Sequence, residues 1–340
     1  MGAARLALWA RAARVVRQDI DSLLWDKRLL IKTTAMRQTM HLLPADEYYI
    51  YLAAIRHSRM DALMRVMARL SITQKEVDAM NAILLEILGN HPLPQLELAR
   101  QIKPRLSRKL HTWMKLSWSV FRPAIVAGLV CYGPQRGSQS TLVRVDRWLQ
   151  PLPQISAEEA QRILLRKFLR AYGPAGIRDF CKWSGIPIGE ARPVWASLSD
   201  ELVEVSIEGA KAFILRENLH QLETSKLART IVRLLPSFDP YMLAHADKDH
   251  LVHPRYYKRV YRNQGWLSPV ILVNGRVVGI WSRNDASTKP FLRTELFEKL
   301  PKTVLKEIEE EAERLKQFGK SCHSHCSQII CNEIGPKVTT

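Results

Sequence analysis

Long apolar runs are missing from this sequence of 340 residues. The longest, PAIVAGLVCY at 123–132, falls far short of the roughly 20 residues that span a bilayer, and suits a buried strand or helix instead. A secretory leader is not expected either, because Arg5, Arg11 and Arg14 interrupt the apolar residues of MGAARLALWARAARVV. Leu6 occupies the position where a myristoylation signal has Ser or Thr. Cysteine is scarce and odd in number, five in all, which excludes an ordinary disulfide framework. Together these absences predict a cytoplasmic, reducing compartment. Acids are also in short supply: 33 Asp and Glu stand against 51 Lys and Arg, for a formal net charge of +18. Such a surplus attracts polyanions over long range. Nucleic acid is the first expectation, and an anionic membrane face the second. The membrane reading lacks the basic amphipathic helix with a bulky apolar face that it needs.

What is present is a 46% hydrophobic share, enough for two or three packed units. Helical spacing dominates the first two thirds. Leu6, Trp9, Ala10, Ala13 and Val16 share a face, and Asp19 or Asp21 is placed to cap a short helix through Leu23, Leu24 and Trp25. Residues 29–43 read as a strand or hairpin. Asp46 and Glu47, after Pro44, then read as first-turn acids of the next helix. Residues 59–69, a helix capped by Ser71 or Thr73 and running to Leu88, 93–102 and 105–118 give helices, the last pair in helix-turn-helix rhythm. Strands at 127–133 and 141–148 flank the loop GPQRGSQS, so this block reads as a winged helix with a Gly/Arg wing. The pattern recurs: helices at 156–171 (with a Ser156/Glu159 capping box), 175–183 and 190–198, then a hairpin of ELVEVSI and AKAFILR turning at Glu208-Gly209. Residues 268–283 carry an Asn-Gly hairpin, and 298–319 an amphipathic helix.

The expected fold is therefore α+β: tandem winged-helix repeats with a small β-rich C-terminal domain, which the family resemblance described below implies is β-barrel-like. The expected units are a partial first winged helix at 1–58, a second at 59–150, a third at 151–218, the β unit at 228–290, a helix at 291–319 and a disordered tail at 320–340.

Several segments, in order, resemble the winged-helix DNA glycosylases of the AlkZ/YcaQ type: LALWAR, MRQTMHLLPADEYYIYLAAIR, RAYGPAGIRDFCKWSGIP, LSDELVEV, RLLPSFDPYMLAH and ILVNGRVVGIWSR. The resemblance covers about residues 3–290. Its specific pieces are AMRxTMH, YGPAxxxDFxxWSG and LLPxFDPY. It implies a bacterial, monomeric DNA-repair protein of tandem winged helices and a small barrel. Such a protein excises N-alkylated purines or unhooks interstrand crosslinks by cleaving the N-glycosidic bond of duplex DNA, and uses no metal or nucleotide cofactor. The sequence departs from the family twice. Gln38 stands where the family has Gly, and the catalytic Gln-x-Gln expected ahead of LALWAR is not among these residues, since no Gln precedes Gln18. Either the true start lies upstream, or this member lost the pair and is a non-enzymatic DNA binder or regulator. The catalytic residues are thus left unassigned.

Arg37 and His41 lie on the resembling hairpin and are expected to line a DNA channel, where a Thr/Arg/His strand suits phosphates. The plainer reading is a hairpin face whose His bonds a carbonyl. Arg105, Arg108, Lys109, His111 and Lys115 form a basic helix face, and Arg136 sits on the wing. Each is a phosphate-contact candidate or an ordinary solvated charge. YYKRVYR at 256–262 could clamp nucleic acid, but reads more simply as a barrel edge. Asp239 reads as a structural Asp-Pro turn. Cys322, His323, His325, Cys326 and Cys331 crowd into ten residues without the two separated pairs of a zinc site, so no metal is expected.

Overall fold

The computed structural model describes residues 2–12, 14–116, 120–151, 153–207, 209–284 and 291–319. Eleven strands are found among them: β1 Leu30–Thr34, β2 Met40–Pro44, β3 Leu93–Pro94, β4 Val130–Arg136, β5 Gln139–Arg144, β6 Leu202–Ile207, β7 Ala210–Leu215, β8 Val232–Leu235, β9 Val270–Val273, β10 Arg276–Asn284 and β11 Phe291–Leu296. With the helices between them they make a mixed α+β fold.

Local chemistry accounts for most boundaries. Thr73 accepts the Glu76 amide at 3.3 Å while the Glu76 carboxylate accepts the Thr73 amide at 2.9 Å, opening the helix Gln74–Leu88. Ser156 caps Ala157–Tyr172 through the Glu159 amide at 3.1 Å. Asn274 and Gly275, at φ +51° and +84°, make the left-handed turn that joins β9 to β10. One boundary differs from expectation. The helix after β2 begins at Tyr48, so Glu47 sits at its N-cap rather than in the first turn, and pairs with Lys167 at 2.5 Å. That helix then runs unbroken from Tyr48 to Ala68, through the block boundary drawn at 58/59.

The helix crosses that boundary because it serves two cores. Tyr48, Ile50, Ala54 and Ile55 pack with the helices at 157–196, and Leu63 and Met67 with those at 74–126. The hairpin β1–β2 likewise does not stand alone. Its β1 pairs with β4 at Lys32↔Tyr132, giving an antiparallel sheet of order β2-β1-β4-β5-β3. A third core joins the two ends of the described chain: Leu6, Trp9, Ile20 and Leu24 pack with Leu234, Ile271, Trp281, Leu315 and Phe318. Trp9 lies under the Arg314 guanidinium at 4.2 Å, and truncating such a buried ring typically costs about 3–5 kcal/mol.

The C-terminal strands form an antiparallel sheet of order β11-β10-β9-β8. Among the described residues it stays open rather than closing on itself as a barrel. The helix Lys302–Gly319 packs against β8, which shields that edge without closure. The Cys/His segment of the tail lies outside the described residues. Among the described residues, no three His, Cys, Asp or Glu side chains are grouped to hold a metal, and no helix is long and apolar enough to cross a membrane.

Candidate nucleic-acid interface

The turn between β1 and β2 is too tight for ordinary backbone. Arg37 and Gln38 both adopt positive φ, +53° and +61°, in a loop closed by Ala35 N–H to the Thr39 carbonyl at 3.0 Å. Non-glycine residues take this conformation only at a cost, repaid by surrounding contacts. The contact here is with the end of the helix Ile177–Ser184. The Arg37 guanidinium donates to the Trp183 carbonyl, and Gly185 ends that helix at φ +81°. A β-carbon on Gly185 would lie 3.1 Å from the Arg37 nitrogen and 3.3 Å from its α-carbon. Glycine is required there both for the left-handed cap and for the approach of the Arg37 backbone.

Beneath the turn sits Arg59, 8% exposed, on a helix stripe that is otherwise apolar: Ile55, Arg59, Leu63, Met67. Its Nη1 and Nη2 donate to the Thr34 carbonyl at 2.9 Å and the Thr34 hydroxyl at 2.8 Å, while Nε is buried without a partner among the described residues. Arg37, Gln38, Ile55, Arg59, Cys181, Lys182, Ser184 and Gly185 line a cleft of about 450 Å³. Three cations line it and, among the described residues, no acid does. Burial holds Arg59 down to about 10, with the Arg122 charge adding to the effect and Tyr48 opposing it. Burial likewise lowers Arg37. Both stay charged at neutral pH, and charges so poorly solvated gain when an anionic oxygen enters. The chemistry suits a phosphodiester.

His41, half-buried on β2, has its Nδ1 2.8 Å from the Thr39 carbonyl, so that nitrogen carries the hydrogen. Burial pushes it down to about 4; the Thr39 bond opposes this, and Arg37 and Arg59 reinforce it. It is therefore neutral near pH 7 and offers Nε2 without adding charge.

The remaining predicted residues lie elsewhere. Arg105 is held by Glu86 at 2.8 and 2.7 Å, Lys109 by the Ser71 carbonyl at 2.9 Å, and His111 by the Lys103 carbonyl at 2.7 Å. Arg108 and Lys115, on the helix Arg108–Leu116, are exposed and form no ion pair among the described residues. Arg136 donates to the Pro92 carbonyl at 3.2 Å and lies 3.8 Å from Glu97. Of the eight, only Arg37 lines the cleft. In YYKRVYR, Arg259 pairs with Glu295 and lies 4.3 Å over the Phe297 ring, so its charge is spent within the C-terminal unit.

Arg59 and Lys182 were not picked out from sequence. Arg59 had a signal, a charge on the buried stripe of a long helix; Lys182 lies inside the DFCKWSG segment already singled out. Asp239 does more than turn the chain. Wholly buried, it caps Pro240–Leu243 through Tyr241 N–H at 2.9 Å and accepts Arg11 at 2.9 and 2.7 Å. Burial pushes the Tyr172 hydroxyl up, the Asp239 charge adds to this, and the charges of Arg11 and Arg37 oppose it.

Comparison with known proteins adds three findings. A family model described as DNA glycosylase AlkZ-like matches residues 1–318. An interstrand DNA cross-link repair glycosylase of Streptomyces sahachiroi is 32% identical over 323 residues, 91% of this chain and 84% of that protein. The solved Streptomyces sahachiroi DNA glycosylase AlkZ superposes with a TM-score of 0.78 at 29% identity, covering 94% of this chain and 87% of that one.

Proposed function

Because the chain belongs to the AlkZ-like family of DNA glycosylases, we propose that it acts in DNA repair on duplex DNA, releasing N-alkylated purines or unhooking interstrand crosslinks by hydrolysis of the N-glycosidic bond. The observation that carries the DNA contact is the cleft of Arg37, Arg59 and Lys182, which no acid lines among the described residues. Phosphates are held there and along the exposed Arg108 and Lys115, with Arg105, Lys109, His111 and Arg136 exchanging weak internal contacts for phosphate oxygens. Neutral His41 beside the cleft lends a hydrogen-bonding nitrogen. A cationic alkylpurine is already an activated leaving group, so the protein's task is to stabilise an oxocarbenium-like sugar and place a water. The helix groups followed by the hairpins β4–β5 and β6–β7 are read as winged helices, and the chain as a monomer.

A second reading, a member that binds DNA without excising bases, is favoured by one observation. The cleft lining offers a single amide, Gln38, and no carboxylate to orient water. Duplex DNA containing N7-methylguanine separates the two. Base release above the spontaneous rate at saturating protein supports excision. Saturated binding with no release supports the second reading. Binding that does not weaken with salt would count against both.

A further inference from the structure

Two large aromatic rings stand together at the surface. Phe238 is 43% exposed and Trp266 58%; their centroids lie 5.6 Å apart with planes inclined at 50°. Neither belongs to a core. Both are held on constrained turns. Phe238 sits at φ +60°, where a bulky residue stays only if its surroundings insist. The next residue, buried Asp239, supplies that insistence through Arg11 and the Tyr241 amide. Trp266 follows the turn Asn263–Gly265, in which Gln264 and Gly265 have φ +58° and +77°, and its carbonyl accepts Arg262 N–H at 2.7 Å.

The surroundings are cationic. The Arg262 side chain is exposed, with no ion pair among the described residues. Arg11 is about half exposed, while its partner Asp239 is wholly buried and presents no charge outward.

We propose that Phe238 and Trp266 form a stacking platform for one unpaired DNA base, with Arg262 contacting the adjacent phosphate. The proposal rests on the DNA-binding reading above. Every base has a planar π-face, so such a platform needs no particular sequence. Paired bases are already stacked on their neighbours, so the platform favours DNA that offers a base out of the helix.

The test measures binding of the full chain to two short fluorescent duplexes, one with a single extrahelical adenine and one fully paired, over a series of salt concentrations. Trp266→Ala and Phe238→Ala should each weaken binding to the bulged duplex by about 5- to 100-fold, leaving the paired duplex and the salt slope unchanged. Trp266→Phe, which keeps a ring, should retain most of the affinity. Unchanged binding of the bulged duplex by both alanine variants overturns the platform, as does an equal loss on both duplexes. A parent chain that dimerises while Trp266→Ala is monomeric also overturns it, assigning the rings to a second copy. If the parent binds neither duplex, the DNA-binding reading itself fails.

Discussion

Replacing Arg59 by Met separates the anion-binding role of the cleft from its structural one. The side chain is 8% exposed and has no acidic partner among the described residues, so its charge is a burden on the free protein. Its lowering to about 10, mainly by burial and further by the Arg122 charge, corresponds to a cost on the order of 3 kcal/mol. Against that stand two hydrogen bonds from a charged donor to Thr34, at about 1.5–3 kcal/mol each. Methionine removes both effects and fills a similar volume, so the net loss of stability should be at most about 3 kcal/mol, and the variant should fold. DNA binding should respond differently. Losing one phosphate contact lowers the slope of log affinity against log salt by about 0.9 and weakens binding alike for all sequences. Fluorescence anisotropy across a salt series, with thermal unfolding alongside, reads both quantities. A folded variant with an unchanged salt slope would refute the reasoning: Arg59 would then be a strut for the β1–β2 turn, and the cleft would not hold phosphate.

Gly185→Ala should lose more than about 1 kcal/mol, from the left-handed backbone and the 3.1 Å approach to Arg37, and should also weaken DNA binding; a thermal midpoint equal to the parent's would show that the turn can shift without consequence. Asp239→Asn keeps an oxygen for the Tyr241 amide but loses the charge facing Arg11. The expected cost is about 1–3 kcal/mol in denaturant unfolding, and no loss would mean that half-exposed Arg11 finds equal partners in water. His41 carries a pH signature. Its folded value near 4 lies below the ordinary 6.5, so the unfolded chain takes up the proton first. Its contribution is fully present above about pH 6.5 and is lost as pH falls toward 4, a loss of at most about 2 kcal/mol given its partial exposure. His41→Gln should flatten the stability profile in that window, and identical pH profiles for variant and parent would contradict the assigned environment.

Several features could be read from residues alone because they are local. The Thr73 and Ser156 caps, the Asn274-Gly275 turn and the β6–β7 hairpin each depend on a few neighbouring residues whose dihedral and hydrogen-bonding preferences are intrinsic. The helix starts at Tyr48 rather than before Glu47, and Glu47 instead pairs with Lys167, a residue far along the chain. The continuation of that helix past residue 58 likewise answers to two cores rather than to its own composition.

The site divides along the same line. Arg37 was legible from the sequence because it lies in a recognisable segment. Its three-dimensional partners were not, because the Trp183 carbonyl, Gly185 and Lys182 come from a helix about 145 residues away. The basic helix at 108–116 was a phosphate-contact candidate by composition, yet Lys109 is met internally by Ser71 and Glu76, and His111 by the Lys103 carbonyl. By itself the sequence determined the excess of positive charge, the α+β class, the caps and turns, and the family, since these follow from composition and from short motifs. Only tertiary structure decided which cations lack acidic partners and converge on one cleft. Solvation and pairing depend on what the folded chain brings within a few ångströms, and spacing along the sequence does not encode that.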